Sequence, residues 1–173
     1  MAKITFILGG ARSGKSAFAQ ERAKKHTKVT YLATGIPCDG EMKERIRRHR
    51  ADRPKNWLTV EEPLALDRVA SHVLAGCDAA ILDCVGGWVT NLILKGKCKE
   101  DAVLRKVGNF LAAARKLKKF EMIIVSNEAG LGLVPPTKLG RDFRDITGRV
   151  NQLIAREADR VFFMIAGIEM KIK

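Results

Sequence analysis

Short apolar runs alternate with amphipathic stretches along almost the whole chain, each bounded by charged or turn-forming residues. Residues 4–8 (Ile-Thr-Phe-Ile-Leu) and 29–33 (Val-Thr-Tyr-Leu-Ala) read as strands, with a helix over 16–25 between them. A charged helix over 41–51 stops ahead of Pro54, since the residue before a proline is pushed out of the helical region. Residues 64–75 form a helix that Gly76 ends, and a third strand over 79–82 runs out at Asp83. The clearest helix follows. Asp101 is placed to cap it, and Val103, Leu104, Val107, Phe110, Leu111, Ala114 and Leu117 fall on one face. A strand over 122–125 comes next, then a helix carrying Leu139, Phe143, Ile146, Val150, Leu153 and Ile154 at helical spacing. A strand over 161–165 and a short terminal one over 170–172, after a turn at Gly167, complete the order.

Strands that are apolar throughout, rather than on alternate positions, are buried on both faces, and helices between them supply the cover. The expectation is therefore an α/β chain with a mostly parallel sheet and helices on both faces. No repeat, low-complexity stretch or linker divides it, so residues 1–173 are read as one domain.

The turn after the first strand carries the first chemistry. Gly9-Gly10-Ala11-Arg12-Ser13-Gly14-Lys15-Ser16 satisfies the whole G-x-x-x-x-G-K-[ST] pattern between a strand and a helix. Glycines let successive backbone N–H groups point inward, and the helix that follows adds its positive end, so the segment suits nucleotide phosphates. Lys15 is placed to reach the terminal phosphates, and the Ser16 hydroxyl to meet Mg²⁺. Together with the strand and helix order, this makes the expected fold a phosphate-loop NTPase domain of RecA-like, three-layer form.

Charge narrows the partners. The chain has 32 Lys plus Arg against 19 Asp plus Glu, a formal net charge of +13, which favours anionic ligands. The four cysteines, Cys38, Cys77, Cys84 and Cys98, show neither metal-site nor disulfide-framework spacing, and a reducing, cytoplasmic setting is expected. The first apolar run is too short for a signal peptide and no later segment reaches membrane-spanning length.

In such sheets ligands gather at the carboxyl ends of the strands. Asp83, at the end of an apolar run, is a candidate to order a magnesium shell, with helix capping as its plain alternative. Ser126, Asn127 and Glu128 open a Gly- and Pro-rich loop that reaches Thr137, a length that is often functional but also serves as a solvated crossover. Residues 42–55 hold Lys43, Arg45, Arg47, Arg48, Arg50, Arg53 and Lys55 around His49. A solvated basic face is one reading. The other is that cations with few acidic partners, beyond Glu41, Glu44 and Asp52, are free to meet phosphate beside His49, whose ring nitrogen can attack phosphorus. His26, at a helix end, and His72, within a helix, show no comparable surroundings.

These segments resemble the bifunctional adenosylcobinamide kinase / adenosylcobinamide-phosphate guanylyltransferase family of cobalamin biosynthesis. The resemblance rests on the loop 9–16, on Tyr31 to Thr34, on Glu41, Met42, Arg45 and Ile46, and on His49 to Pro54. It continues through Trp57, Thr59 to Pro63, Asp83 and Cys84, Trp88 to Asn91, Val125 to Glu128, Gly130 to Gly132, Val134 with Pro135, and residues 141–152, in order from end to end. It implies phosphorylation of the aminopropanol hydroxyl of adenosylcobinamide with ATP or GTP, followed by transfer of GMP from GTP onto that phosphate through a guanylylated histidine. By position that histidine is His49. The resemblance also implies nucleotide contacts at Ala33, Thr34, Gly35, Arg50, Ala51, Asp52, Arg53, Glu61 and Asp83, a contact to the nucleobase from Glu61 or Glu62, and a homotrimer.

Two positions depart from the family pattern. Gly86 stands where relatives commonly have threonine, and Pro136 where an acidic residue is usual. Two other readings stay open on sequence: a member that keeps only one of the two activities, and a nucleic-acid-stimulated NTPase using the basic segments. Against the second, few aromatics are interleaved with the basic residues, so no stacking platform for single strands is evident and no nucleic-acid partner is expected.

Overall fold

The computed structural model describes every residue except Cys38 and Asp52 and, within the second helix, the side chains of Glu41 and Arg45. Along the chain run β1 (Lys3–Gly9), α1 (Lys15–Ala23), β2 (Val29–Ala33), α2 (Gly40–Ala51), β3 (Leu58–Glu61), α3 (Leu66–Val73) and β4 (Ala79–Asp83). They are followed by α4 (Val85–Leu94), α5 (Glu100–Arg115), β5 (Glu121–Asn127), α6 (Lys138–Glu157), β6 (Arg160–Ile165) and β7 (Ile168–Lys171). Among the described residues the strands form one sheet in the order β3-β2-β4-β5-β1-β6-β7, parallel throughout except for the β6/β7 hairpin.

The alternation of strand side chains divides the apolar runs between two cores. Ile4, Phe6 and Leu8 with Leu32, Leu82, Met122 and Ile124 pack under α3, α4, α5 and α6. Ile7, Tyr31, Ile81, Ile123, Val125 and Met164 face the other way, onto Ala19 and Ala23 of α1 and onto Trp57. Small alanines on α1 let that single helix lie close to the sheet. The thicker side is built around Trp88, which is fully buried, meets Phe110 edge-on at 5.7 Å, and donates its indole N–H to the Leu64 carbonyl at 3.2 Å.

The structure corrects the sequence reading in several places. Strand β3 and helix α4 are additions: residues 58–61 are mostly exposed with one apolar side chain packed inward, and residues 85–94 are so uniformly apolar that no helical stripe stands out. Helix α3 is shorter than expected because Leu64 and Ala65 precede it, in a turn held by the Glu62 carboxylate, which accepts from both their N–H groups at 2.9 and 2.8 Å. Asp101 does not cap α5. Lys99 occupies the N-cap, and Asp101 with Glu100 lies in the first turn, where a negative charge still favours the helix dipole. The terminal strand begins at Ile168 rather than Met170.

At the amino end of the sheet, Glu121 joins three elements. Its carboxylate accepts from Thr5 Oγ1 at 2.8 Å and Arg22 Nη2 at 3.0 Å, and lies 3.1 Å from His26 Nε2. Burial alone would raise this carboxyl, but the hydrogen bonds from Thr5, Arg22 and His26 outweigh it and hold it below its usual value. A group held below its unfolded value stabilises the fold above that value, near 4.3, and loses the contribution as pH falls through its folded value. Glu121→Gln is therefore expected to cost about 1–3 kcal/mol at neutral pH. Denaturant melts of the two proteins should converge as pH drops through the acid range; a gap that does not change with pH would contradict this role.

Candidate active site

Parallel pairing brings the ends of five strands to one edge. Gly9 pairs with Asn127, Val125 with Asp83, Asp83 with Ala33, and Ala33 with Glu61. The phosphate-loop strand β1 and the Asp83 strand β4 are thus separated by one strand, β5, which ends in Asn127.

The loop after β1 has the backbone that its glycines permit. Gly14 sits at φ +94° at the start of α1, a conformation costly for any residue with a Cβ. A Cβ on Gly9 would lie 2.6 Å from both the Met164 carbonyl and Ser13 Oγ. Lys15 is 7% exposed and folds back over the loop, donating to the Gly10 carbonyl and to Ser13 Oγ at 3.3 Å. The Gly167 N–H, from the β6/β7 turn, donates to the Ser13 carbonyl at 3.1 Å and braces the loop from outside. Ser16 follows in the first turn of α1.

Beside it, a cavity of about 240 Å³ opens at the same edge. His49 and Arg53 reach it from α2 and the turn after it, Thr34 and Gly35 from the end of β2, Glu61 from β3, Asp83 from β4 and Asn127 from β5. Met42, Ile46 and Phe143 supply apolar wall. Ala33 also lines it, whereas Arg50 and Ala51 line an adjoining groove with Lys55 and Trp57, shared with Arg53 and Glu61. The loop residues Gly9 to Ser16 stand next to the cavity at the sheet edge and are not part of its lining. Asp52 lies outside the described residues.

Several of these groups are already engaged. Tyr31 donates its hydroxyl to Asp83 Oδ2 at 2.6 Å, and burial together with the Asp83 carboxylate pushes the phenol up, so it stays a donor across ordinary pH. The Arg53 guanidinium lies 3.6 Å from the centre of the Tyr31 ring, a cation–π contact. Thr34 is 1% exposed; its hydroxyl donates to the Cys84 carbonyl at 2.8 Å and accepts the Cys84 N–H at 3.1 Å. Its own carbonyl accepts from Asn91 at 2.7 Å. The Thr34 side chain therefore ties β2 to the start of α4, and its carbonyl ties β2 to Asn91 farther along the same helix.

The basic segment is less free than its composition suggests. Glu44 takes Arg47 at 2.7 Å and Arg48 at 2.9 Å, and Arg50 pairs with Glu61. The two arginines hold the Glu44 carboxyl down to about 2 through these hydrogen bonds. Such exposed pairs are weak and exchange readily for a phosphate. Of the two candidate glutamates, Glu61 faces the cavity, whereas Glu62 is spent on the turn before α3.

A family described as cobinamide kinase / cobinamide phosphate guanyltransferase matches residues 5–172. The chain is 36% identical over 181 residues to the bifunctional adenosylcobalamin biosynthesis protein CobU of Escherichia coli K12, covering 98% of this chain and 99% of that one. It is 39% identical over 181 residues to the CobU of Salmonella typhimurium, with the same coverage, and 41% identical over 168 residues to the CobP of Pseudomonas aeruginosa, covering 96% and 95%. The chain belongs to the cobinamide kinase / cobinamide phosphate guanyltransferase family. Among solved structures it is similar to an ATPase from the type III secretion system of pathogenic bacteria, with a TM-score of 0.60 at 11% identity over 98% of this chain and 56% of that one, a likeness that fixes the phosphate-loop fold alone.

Within this family member, the Gly86 departure gains a physical setting. A Cβ at Gly86 would make ordinary contacts, 3.5 Å from Asn127 Nδ2 and 4.0 Å from Phe143 Cζ. At Gly87 it would come within 2.8 Å of Thr34 Oγ1, a hydroxyl held by both its bonds to Cys84. Gly87→Ala should therefore destabilise by about 1–3 kcal/mol, the cost of overpacking a tight contact. Gly86→Ala should be neutral or slightly stabilising, since alanine is the better helix former. Thermal melts of the two variants check the contrast; equal losses would contradict it.

Proposed function

We propose that this enzyme phosphorylates the aminopropanol hydroxyl of adenosylcobinamide with ATP or GTP, then moves GMP from GTP onto that phosphate. The observation that carries the two-step reading is the pairing, at one sheet edge, of the loop around Lys15 with a cavity that holds His49, Asp83 and Glu61. The cavity alone would suit a histidine nucleophile, and the loop alone a kinase. Their adjacency lets one nucleotide present different phosphorus atoms to different acceptors.

In the first reaction the cobinamide hydroxyl oxygen bonds the γ-phosphorus while the bridging β–γ bond breaks, the nucleoside diphosphate leaves and the hydroxyl proton is lost. The loop N–H groups and Lys15 hold the phosphates, the lysine exchanging its bonds to Gly10 and Ser13 for phosphate oxygens. In the second, a ring nitrogen of His49 bonds the α-phosphorus as the α–β bridge breaks and pyrophosphate departs. An oxygen of the cobinamide phosphate then bonds the same phosphorus, the P–N bond breaks and the imidazole is restored. Arg50 and Arg53 are assigned to the nucleotide phosphates or ribose, and Glu61 to the base.

Mg²⁺ suits the donors present. Ser16 and Asp83 offer hydroxyl and carboxylate oxygens, and no group of three or more His, Cys, Asp or Glu that could hold a metal ion exists among the described residues. The remaining ligands would be phosphate oxygens and water, which is how this ion is usually held. When bound, it offsets phosphate charge. Tyr31, fixed on Asp83 Oδ2, orients that carboxylate.

A cytoplasmic setting is supported by the free thiols of Cys77 and Cys98, and no described helix is long and apolar enough to cross a membrane. On family resemblance the working assembly is a homotrimer. The anionic partners of the basic surface are taken to be nucleotides and phosphorylated substrate rather than nucleic acid.

The two half-reactions separate the roles. Lys15→Ala is expected to weaken nucleotide use in both, by about ten- to a hundredfold, since a charge-assisted contact contributes roughly 1.5–3 kcal/mol. His49→Ala should abolish GMP transfer but retain phosphorylation of adenosylcobinamide. Chromatographic assay of each product settles the split. Retained GMP transfer would move the nucleophile elsewhere, and parallel loss of both reactions would make His49 structural or a shared phosphate contact.

A further inference from the structure

The segment Ser126-Asn127-Glu128 has no role in the chemistry so far, yet its backbone is among the most firmly held parts of the sheet edge. Ser126 is fully buried and donates its hydroxyl to Asn151 Oδ1 at 2.7 Å. Asn151, 5% exposed on α6, donates through Nδ2 to the Asn127 carbonyl at 3.1 Å. The Glu128 N–H donates to the Gly9 carbonyl at 3.0 Å, and Asn127 is the strand partner of Gly9, where the phosphate loop begins. Two buried side chains and a parallel ladder therefore fix one residue.

The Asn127 side chain, by contrast, has no described partner. Its amide makes no hydrogen bond to any described residue, lines the cavity, and has Nδ2 3.5 Å from where a Cβ on Gly86 would stand. Because Val125, not Asn127, is level with Asp83, Asn127 extends two residues farther out than Asp83 does. It stands on β5, between the strand that leads into the phosphate loop and the strand that ends in Asp83. A primary amide that makes no bond to any described residue, on a rigid backbone at the seam between a phosphate loop and an acceptor cavity, is placed for a ligand oxygen that crosses the seam. In the kinase half-reaction, that oxygen belongs to the phosphoryl group in flight.

We propose that Asn127 contacts the γ-phosphoryl group of the nucleoside triphosphate during its transfer, and that Asn151, with Ser126, is the pair that positions it. Asn127 donates its amide N–H to an equatorial phosphoryl oxygen while the substrate oxygen bonds the phosphorus and the nucleoside diphosphate leaves. No proton moves through the amide. In guanylyl transfer the reacting atom is the α-phosphorus, the γ-phosphate is a spectator, and the same contact adds nothing that grows in the transition state.

This inference rests on the two-step reading above, and the experiment keeps the two apart. Wild type, Asn127→Ala and Asn127→Asp are assayed for phosphorylation of adenosylcobinamide and, separately, for GMP transfer from GTP to purified adenosylcobinamide phosphate, each with kcat and KM. Asn127→Asp keeps the shape but turns a donor into a carboxylate facing phosphate. The expected result is a kinase kcat about 10- to 100-fold lower in Asn127→Ala and lower still in Asn127→Asp, with a GMP-transfer kcat in Asn127→Ala within about threefold of wild type. Melting temperatures should match wild type, because the bond from Asn151 goes to the backbone carbonyl and survives both changes. An unchanged kinase kcat, equal losses in both half-reactions, or variants that fail to fold would each overturn the assignment. A wild-type protein lacking either activity would instead overturn the two-step reading.

Discussion

The parallel register of β3, β2, β4, β5 and β1 is the constraint on which the rest depends. Parallel strands all point their carboxyl ends the same way, so Glu61, Ala33, Asp83, Asn127 and Gly9 come to one edge although they are scattered along the sequence. That register is stable because alternate side chains on each strand feed two apolar cores, one under α3 to α6 and one under α1. A one-residue slip would exchange the two faces, moving Tyr31 away from Asp83 and turning Ile7 into the thicker core.

Around that edge rigidity and freedom are divided by residue. Thr34 and Cys84 are bound to each other, Gly87 is there because nothing larger fits against Thr34, and Asn91 ties the end of β2 to the turn at Pro63. These fix the floor of the cavity. His49 arrives instead on a helix whose Arg47, Arg48 and Arg50 are held by exposed ion pairs with Glu44 and Glu61. Such pairs exchange partners at little cost, which suits the proposed role of this wall in accepting phosphate.

Much of this was legible in the sequence because the signals are local. The loop 9–16, the apolar runs of β1, β2, β4, β5 and β6, and the position of His49 after β2 are each set by neighbours in the chain. What escaped was set by tertiary context. Strand β3 is four residues, exposed on most positions, and is a strand only because β2 offers it an edge. Helix α4 is apolar at every position but Thr90 and Asn91 and packs against β5, α5 and α6, which blurs the stripe that marks an amphipathic helix. The pairing of Arg50 with Glu61 comes from the next strand, beyond the basic segment itself, so counting acids within that segment overstates how free the cations are. Tyr31 belonged to a recognised segment, but its bond to Asp83 needs the β2/β4 register, and the free amide of Asn127 is visible only once Asn151 is seen to hold its backbone.

In the proposed reaction, one sheet edge joins a nucleotide-holding loop to a histidine that carries GMP. Intact-mass measurement of the protein after incubation with GTP and Mg²⁺, followed by fragmentation of the adducted peptide, tests it most directly. A single added guanylyl group on His49 is the expected result. An adduct on Ser16 or another hydroxyl, or GMP transfer by a protein that never carries an adduct, would contradict it.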